Sequence, residues 1–300
     1  MAIAVIQGGE AWCYGVLSGG KLIFQGAKGV VNPLPVRSWE MEMPTARQID
    51  VFLLPALAEL GDLAGRTVVV IDVLRATTTI VTALASGATQ VVPCQDIPDA
   101  RNLAIELPPP LLLGGERGGK QIPGFDLGNS PAEYSRDVVA GKTIVFSTTN
   151  GTRAMLRCKA AGRVLMGAFV NFSAVCRELA DQERLALVCA GTDGHVTRED
   201  TLLAGAIVDD LCRSPLRGER SRSGSSGYEL NDQAEIAADA WQNAVRVLTD
   251  RPLGIMLRDS RGGRNLIEIG QEDDIDLAAQ IDKFDIVPEL DLAAWRIRVP

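Results

Sequence analysis

Several features that would quickly assign a function class are scarce or missing in this 300-residue chain. Aromatic residues make up only 5% of it, there is a single histidine, and its six cysteines form no CxxC pair and no zinc-ligand spacing. No apolar run is long enough to span a bilayer, and no signal peptide with a basic start and an apolar core is visible. We therefore predict a cytoplasmic protein whose cysteines are mostly buried, reduced thiols.

An excess of basic charge is also lacking. The formal net charge is −8, and a negative field opposes binding to nucleic acid or to an anionic membrane surface. An anionic ligand would need positive charge concentrated locally, or a divalent cation. Apolar residues, by contrast, make up 46% of the chain, which is enough for a large α/β core. A homodimer is the default expectation for oligomeric state.

Two parts of the chain differ in composition. Residues 1–46 contain glycine pairs and tryptophans, which predict one or two short β-hairpins or a poorly ordered leader. We interpret them as an N-terminal extension of unknown role; a true start at Met41 or Met43 is the alternative. Residues 47–300 form the main domain, in which the Ser/Gly/Arg-rich stretch 213–229 predicts a flexible loop.

Strand and helix patterns alternate along the main domain. The run Thr67–Leu74 is typical of a strand buried on both faces, and the following pattern predicts a helix from Thr77 to Ser86 that ends at Gly87. This alternation recurs to about residue 212, and residues 230–282 predict several helices. We predict an α/β fold in which a mostly parallel or mixed sheet is flanked by helices on both faces, in three layers, or is divided into two sub-domains around a cleft.

Four polar segments follow predicted strands, where ligands bind in open α/β sheets. In the first, Asp72 ends a buried strand, a costly position unless the acid binds a metal, pairs with a cation or reacts. Pairing with Arg75, with threonines 77–79 only capping the next helix, is the alternative. Haloacid-dehalogenase phosphatases have a second Asp two positions later, where this chain has Leu74, so that fold is not assigned.

The second and third segments are rich in glycine, hydroxyl and amide groups. Residues Leu111–Leu113 predict a strand that leads into a long glycine-rich loop with Glu116, Arg117 and Lys120. In residues 147–153, Thr149 or Asn150 is expected to cap a helix whose positive end would favour phosphate. Capping without a ligand is the alternative.

The fourth segment, residues 190–200, contains the only histidine. Thr197 and Asp200 form a pair that resembles a capping box, which is a structural role. Asp193 and His195 lie on a glycine-flanked loop after a buried strand, so ligand contact or catalysis is the competing interpretation.

Together these segments resemble one known family. The stretches VVIDVLRATTT, GERGGKQIPGFDLGNSP, STTNGT and CAGTDGHVTREDTLLAGAI occur in this order, and the likeness to the 2-phosphosulfolactate phosphatase family covers roughly residues 48–300. The resemblance implies that residues 47–300 are a catalytic domain of a Mg²⁺-dependent hydrolase. Its reaction would convert 2-phospho-3-sulfolactate into 3-sulfolactate and phosphate, a step towards coenzyme M.

The chemistry of such a reaction suggests roles for the polar residues. We expect Asp72, Asp193 and Glu116 to hold Mg²⁺, with Glu199 and Asp200 as alternatives. The groups expected to bind the anionic substrate are Arg75, Thr78, Arg117, Thr149, Asn150 and Arg153. Attack by Asp72 through an aspartyl-phosphate and attack by a metal-bound water both remain open. Acid assistance could come from His195 or from water.

Two further hypotheses compete with this one. A non-catalytic binding protein or sensor for a small anionic metabolite would use the same glycines and arginines. An enzyme of the same kind could also act on another phosphorylated hydroxy-acid.

Overall fold

The computed structural model describes residues 3–8, 11–18, 21–26, 47–59, 61–213, 227–248 and 251–300. The chain divides into two compact units, Met1–Pro44 and Thr45–Pro300. In the first unit, strands β1 (Ile3–Gly8), β2 (Ala11–Ser18) and β3 (Lys21–Gly26) pair antiparallel as two successive hairpins. The predicted loop at 213–229 falls mainly on residues 214–226, which lie outside the described residues.

The second unit contains one large sheet and ten α-helices within its described residues. The strands are β4 (Arg47–Phe52), β5 (Thr67–Ile71), β6 (Gln90–Cys94), β7 (Leu111–Arg117), β8 (Lys120–Gln121), β9 (Thr143–Ser147), β10 (Arg163–Gly167), β11 (Arg184–Cys189), β12 (Tyr228–Leu230), β13 (Glu289–Asp291) and β14 (Arg296–Arg298). The helices are α1 (Ala76–Ala85), α2 (Ile97–Glu106), α3 (Arg136–Val139), α4 (Asn150–Arg157), α5 (Phe172–Leu179), α6 (Arg198–Arg213), α7 (Asp232–Val245), α8 (Leu253–Arg258), α9 (Arg261–Glu268) and α10 (Asp273–Ala278). In the described part of the chain, no helix has the length and apolarity needed to cross a membrane.

The eleven strands lie in the order β12-β4-β11-β5-β10-β13-β14-β6-β9-β7-β8. The first five are parallel to one another, and so are β6, β9 and β7. The β13–β14 hairpin joins these two blocks through three antiparallel pairings, so the blocks run in opposite directions. The predicted mixed sheet is confirmed.

Helices cover both faces of this sheet, as predicted. On one face, α1 and α4 pack with both blocks in a shared core that includes Val70, Ile80, Phe146 and Met155. On the other face, α6 and α7 cover the five-strand block, and α2 covers the three-strand block. The strands are buried from both sides, which explains why β5 reads as an uninterrupted run of β-branched residues.

Local patterns located most elements correctly. Helix α1 begins one residue before the predicted start, and Gly87 follows it with φ +97°, a conformation that L side chains rarely adopt. The predicted glycine-rich loop after Leu113 is wrong in its first part. Strand β7 continues through Arg117 and turns tightly into β8, because its last residues still pair with β9 and then with β8.

Candidate active site

A cavity of about 370 Å³ lies where the carboxyl ends of β5, β7, β9 and β11 meet. Six predicted site residues line it: Asp72, Arg75, Glu116, Thr149, Asn150 and Asp193. They come from both strand blocks. Because the blocks run in opposite directions, their carboxyl ends would lie at opposite edges of a flat sheet. Both blocks nevertheless contribute the residues at their strand ends to this one cavity.

Asp72 lies at the base of this cavity, directly after β5. Its Oδ1 accepts a hydrogen bond from the backbone N–H of Ala76 at 3.1 Å, while its Oδ2 has no hydrogen-bond partner among the described residues. Burial raises the pKa of Asp72 to about 7; the charges of Glu116 and Glu199 also raise it, whereas the Ala76 hydrogen bond lowers it. One carboxylate oxygen is thus anchored and the other is available to a ligand.

Glu116 connects two walls of the cavity. Its Oε2 accepts the N–H of Gly119 at 2.8 Å, and its Oε1 accepts the N–H of Thr149 at 2.9 Å. The first bond fixes the turn between β7 and β8, and the second fixes the start of α4. Thr149 is the N-cap residue of α4, but its side chain makes no capping hydrogen bond, so the predicted side-chain cap is wrong.

Asn150 and Asp193 join the ends of β9 and β11. The Asn150 Oδ1 accepts a hydrogen bond from the Asp193 N–H at 3.3 Å. Asp193 is exposed and has φ +53°, a left-handed conformation that Asp tolerates better than most residues. It lies at the rim, where its carboxylate faces solvent as well as the cavity.

Arg75 also lines the cavity, but its guanidinium is bound within the protein. Nη1 forms a buried salt bridge with Asp274 at 2.6 Å and contacts Gln271, and Nη2 donates to the Gly119 carbonyl at 2.7 Å. The alternative pairing of Arg75 with Asp72 is not observed.

Four other predicted residues do not line the cavity. The Thr78 hydroxyl is buried and donates to the Val73 carbonyl, while Arg153 is exposed on the outer face of α4. Arg117 donates to the hydroxyl of Ser147 at 2.9 Å and to the carbonyl of Gln95, so it ties strand ends together. His195 is exposed, and its backbone pairs with that of Thr192. We therefore assign none of the four to the cavity.

Two buried acids at the start of α6 lie behind Asp72. Asp200 accepts the N–H of Val73 and that of Gly191, both at 2.9 Å, and so connects the ends of β5 and β11. Burial raises the pKa of Asp200 and of Glu199, and Glu199 and Asp72 raise that of Asp200 further. The Glu199 Oε2 is buried without a hydrogen-bond partner in the described part of the chain.

The cavity is also lined by Lys120, a cation that the sequence places in the glycine-rich segment, and by residues that the sequence does not predict. Lys120 supplies a cation, Asn129 supplies an amide, and one wall is formed by α9 with Gly262, Asn265 and Glu268. Helix α9 has no motif that distinguishes it from an ordinary surface helix. Asn129 lies in a segment rich in polar residues, and only its burial identifies it.

The expected Mg²⁺ would need carboxylate ligands from the cavity. Among the described residues, no group of three or more His, Cys, Asp or Glu side chains could hold a metal ion alone. Mg²⁺ commonly binds through one or two carboxylates, with water and substrate oxygens completing its shell. Asp72 and Glu116 meet that smaller requirement, because they line one cavity and their mutual repulsion raises the pKa of Asp72. The residues fit such an ion.

Comparison with known protein families shows which family the chain resembles. The profile of the family described as 2-phosphosulpholactate phosphatase matches residues 52–292. The chain belongs to this 2-phosphosulpholactate phosphatase family. All the cavity residues discussed above lie within the matched range.

Three relatives illustrate the similarity; each is named a probable 2-phosphosulfolactate phosphatase. The protein from Symbiobacterium thermophilum is 43% identical over 229 residues, covering 76% of this chain and 92% of that protein. The one from Caldanaerobacter subterraneus is 38% identical, over 76% of this chain and 89% of its own length. The one from Gloeobacter violaceus is also 38% identical, over 80% and 94%. The N-terminal unit lies outside the matched range of the family profile.

Proposed function

We propose that the chain is a Mg²⁺-dependent phosphatase that hydrolyses 2-phospho-3-sulfolactate to 3-sulfolactate and phosphate. The observation on which the proposal depends is the convergence of Asp72, Glu116, Asn150 and Asp193 at one cavity. The names of the relatives support the choice of substrate. The fit of Asp72 and Glu116 to a small divalent cation supports the choice of metal.

The cavity residues suit phosphate-ester hydrolysis, which requires that negative charge on the phosphoryl oxygens be neutralised. Lys120 supplies one positive charge at the cavity wall. Helix α4 begins at the cavity, so the positive end of its dipole faces a bound anion. A bound Mg²⁺ would supply further neutralisation and orient the phosphoryl group.

Asp72 is the group we assign to the chemical step. Its Oδ1 is held by Ala76, so its Oδ2 points in a fixed direction. A bound cation would favour the ionised form of this carboxyl group, and an ionised Oδ2 can take a proton from an attacking water. Direct attack by Oδ2 on phosphorus is the other route that this position allows.

The test is phosphate release from 2-phospho-3-sulfolactate by the full-length protein. We expect turnover that stops on addition of EDTA and returns with Mg²⁺. We also expect Asp72→Asn to lower kcat by on the order of 10³-fold or more. Asp239→Asn, at an exposed position on α7, is the matched control and should retain full activity.

Two results would contradict the proposal. Full activity of Asp72→Asn would remove that residue from the chemistry. Tight binding of the substrate without turnover under any divalent cation would instead favour an anion-binding protein or sensor.

A further inference from the structure

Asn129 is a buried side chain whose amide has no hydrogen-bond partner among the described residues. It is 5% exposed, its Oδ1 is fully buried, and no hydrogen bond to its side chain occurs among the described residues. Such groups are rare in folded proteins, because burial removes the hydrogen bonds of the amide to water and no hydrogen bond within the protein replaces them. Such a group calls for a partner from outside the folded chain, and at the wall of a cavity a ligand can be that partner.

The position of Asn129 is fixed although its amide is not bonded. Its backbone carbonyl accepts the Thr79 hydroxyl at 2.8 Å, and the neighbouring Ser130 hydroxyl donates to Asp274 at 2.5 Å. A parallel bridge pairs Leu127 with Gly114. Asn129 follows that bridge by two residues, as Glu116 does on β7, and both residues line the cavity.

The charges around the cavity indicate which substrate group an amide would contact. The acids Asp72, Glu116, Asp193 and Glu268 line the cavity, whereas Arg75 is already paired with Asp274. The phosphoryl oxygens of the substrate would bind the cation that these carboxylates would hold. A carboxylate on the carbon bearing the ester is close enough to share that cation. A sulfonate is a weakly basic anion and a poor ligand for Mg²⁺, so it requires neutral or cationic donors elsewhere.

From these observations we infer that Asn129 is a specificity-determining residue that binds the sulfonate of the substrate. This inference rests on the proposed function. The Oδ1 assigned to the buried position is an acceptor, as the sulfonate oxygens are. Turning the carboxamide by 180° exchanges Oδ1 and Nδ2, which have nearly the same shape, so this position can hold the Nδ2 that donates to the sulfonate. Lys120 lines the same cavity and adds a positive charge.

The experiment compares two substrates that differ only in the sulfonate. These are 2-phospho-3-sulfolactate and 2-phospholactate, assayed with the wild type, Asn129→Ala and Asn129→Asp. We expect Asn129→Ala to lower kcat/KM for the sulfonated substrate roughly 10- to 100-fold, the range for losing a hydrogen bond to a charged group. For 2-phospholactate we expect kcat/KM to stay within about threefold of wild type. Asn129→Asp should lose more on the sulfonated substrate, because its charge repels the anion.

Two controls separate recognition from folding. The Tm of Asn129→Ala should stay close to that of wild type, because the amide forms no hydrogen bond with any residue that the structure describes. Asn102→Ala removes an exposed asparagine from α2 and should leave both substrates unaffected.

The outcomes distinguish the inference from the proposed function. An equal loss on both substrates, or no loss on either, overturns the role of Asn129 while wild-type turnover upholds the phosphatase. No wild-type turnover of the sulfonated substrate overturns the proposed function, and the inference with it.

Discussion

The role of a charged residue depends on its partners, as Arg75 shows. From the sequence it was expected to bind the substrate, since it follows Asp72 at the end of a strand. Its guanidinium is instead enclosed between Asp274 and the Gly119 carbonyl, with both ion-pair side chains almost fully buried. Asp274 lies about two hundred positions further along the chain, so no local pattern could have identified it.

The buried pair leads to a prediction about stability. Arg75→Met leaves Asp274 as a buried charge without a cation, which should lower the free energy of unfolding by about 3–5 kcal/mol. Urea unfolding followed by circular dichroism measures this. Arg177→Met removes an exposed ion pair with Asp285 and should cost at most about 1 kcal/mol. Equal costs for the two variants would contradict this account of Arg75.

Helix α4 is positioned by Gly151, to which the sequence alone assigns no role beyond membership of a polar segment. A Cβ added at Gly151 would lie 2.6 Å from the Ala76 Cβ and 2.9 Å from the Asp72 Oδ2. Both distances are shorter than side chains tolerate. The close approach of α4 to the end of β5 therefore requires glycine at this position.

This contact predicts an effect on activity. Gly151→Ala should push α4 away from β5 or displace the Asp72 carboxylate, and a displacement of about 1 Å at such a site can cost on the order of 10²-fold in kcat. Steady-state kinetics with the phosphorylated substrate measures the loss. Gly61→Ala, where an added Cβ meets nothing within 4 Å, should behave like wild type. Unchanged kinetics in Gly151→Ala would contradict this prediction, because α4 could then shift without displacing the Asp72 carboxylate.

The long helices and strands could be predicted from the sequence, whereas two of the short strands could not. Long runs such as β5 and helices such as α6 bury a whole face, so their composition reveals them. The three-residue strands β12 and β13 were missed, because so short a segment has no measurable period. The candidate site was predicted in part: strand-end acids were found, whereas Asn129 and α9 depend on contacts between distant segments.

For the whole molecule, the buried carboxyls lead to a pH dependence of stability. Burial raises the pKa of Asp72 to about 7 and raises those of Glu199 and Asp200 above their usual values. At these three carboxyl groups the folded state therefore binds more protons than the unfolded state at pH values above about 4. This contribution to stability is complete at low pH and is lost as pH rises through the raised pKa values.

The metal-free protein, in EDTA, should accordingly have a lower Tm at pH 8 than at pH 6. Each carboxyl that titrates in this interval contributes up to about 1.4 kcal/mol per pH unit. Adding Mg²⁺ at pH 8 should raise the Tm, since a cation bound near Asp72 favours the ionised form. Differential scanning calorimetry at the two pH values is the measurement. A Tm that increases from pH 6 to pH 8 in EDTA would contradict the raised pKa values.

The β13–β14 hairpin joins the two strand blocks, yet it is formed by residues 289–298. Each block can pair its own strands without this hairpin, but the pairing between the blocks requires that residues 289–298 have been translated. Because the active-site cavity draws its walls from both blocks, the strand pairing that joins those walls depends on residues that follow every cavity residue in the chain.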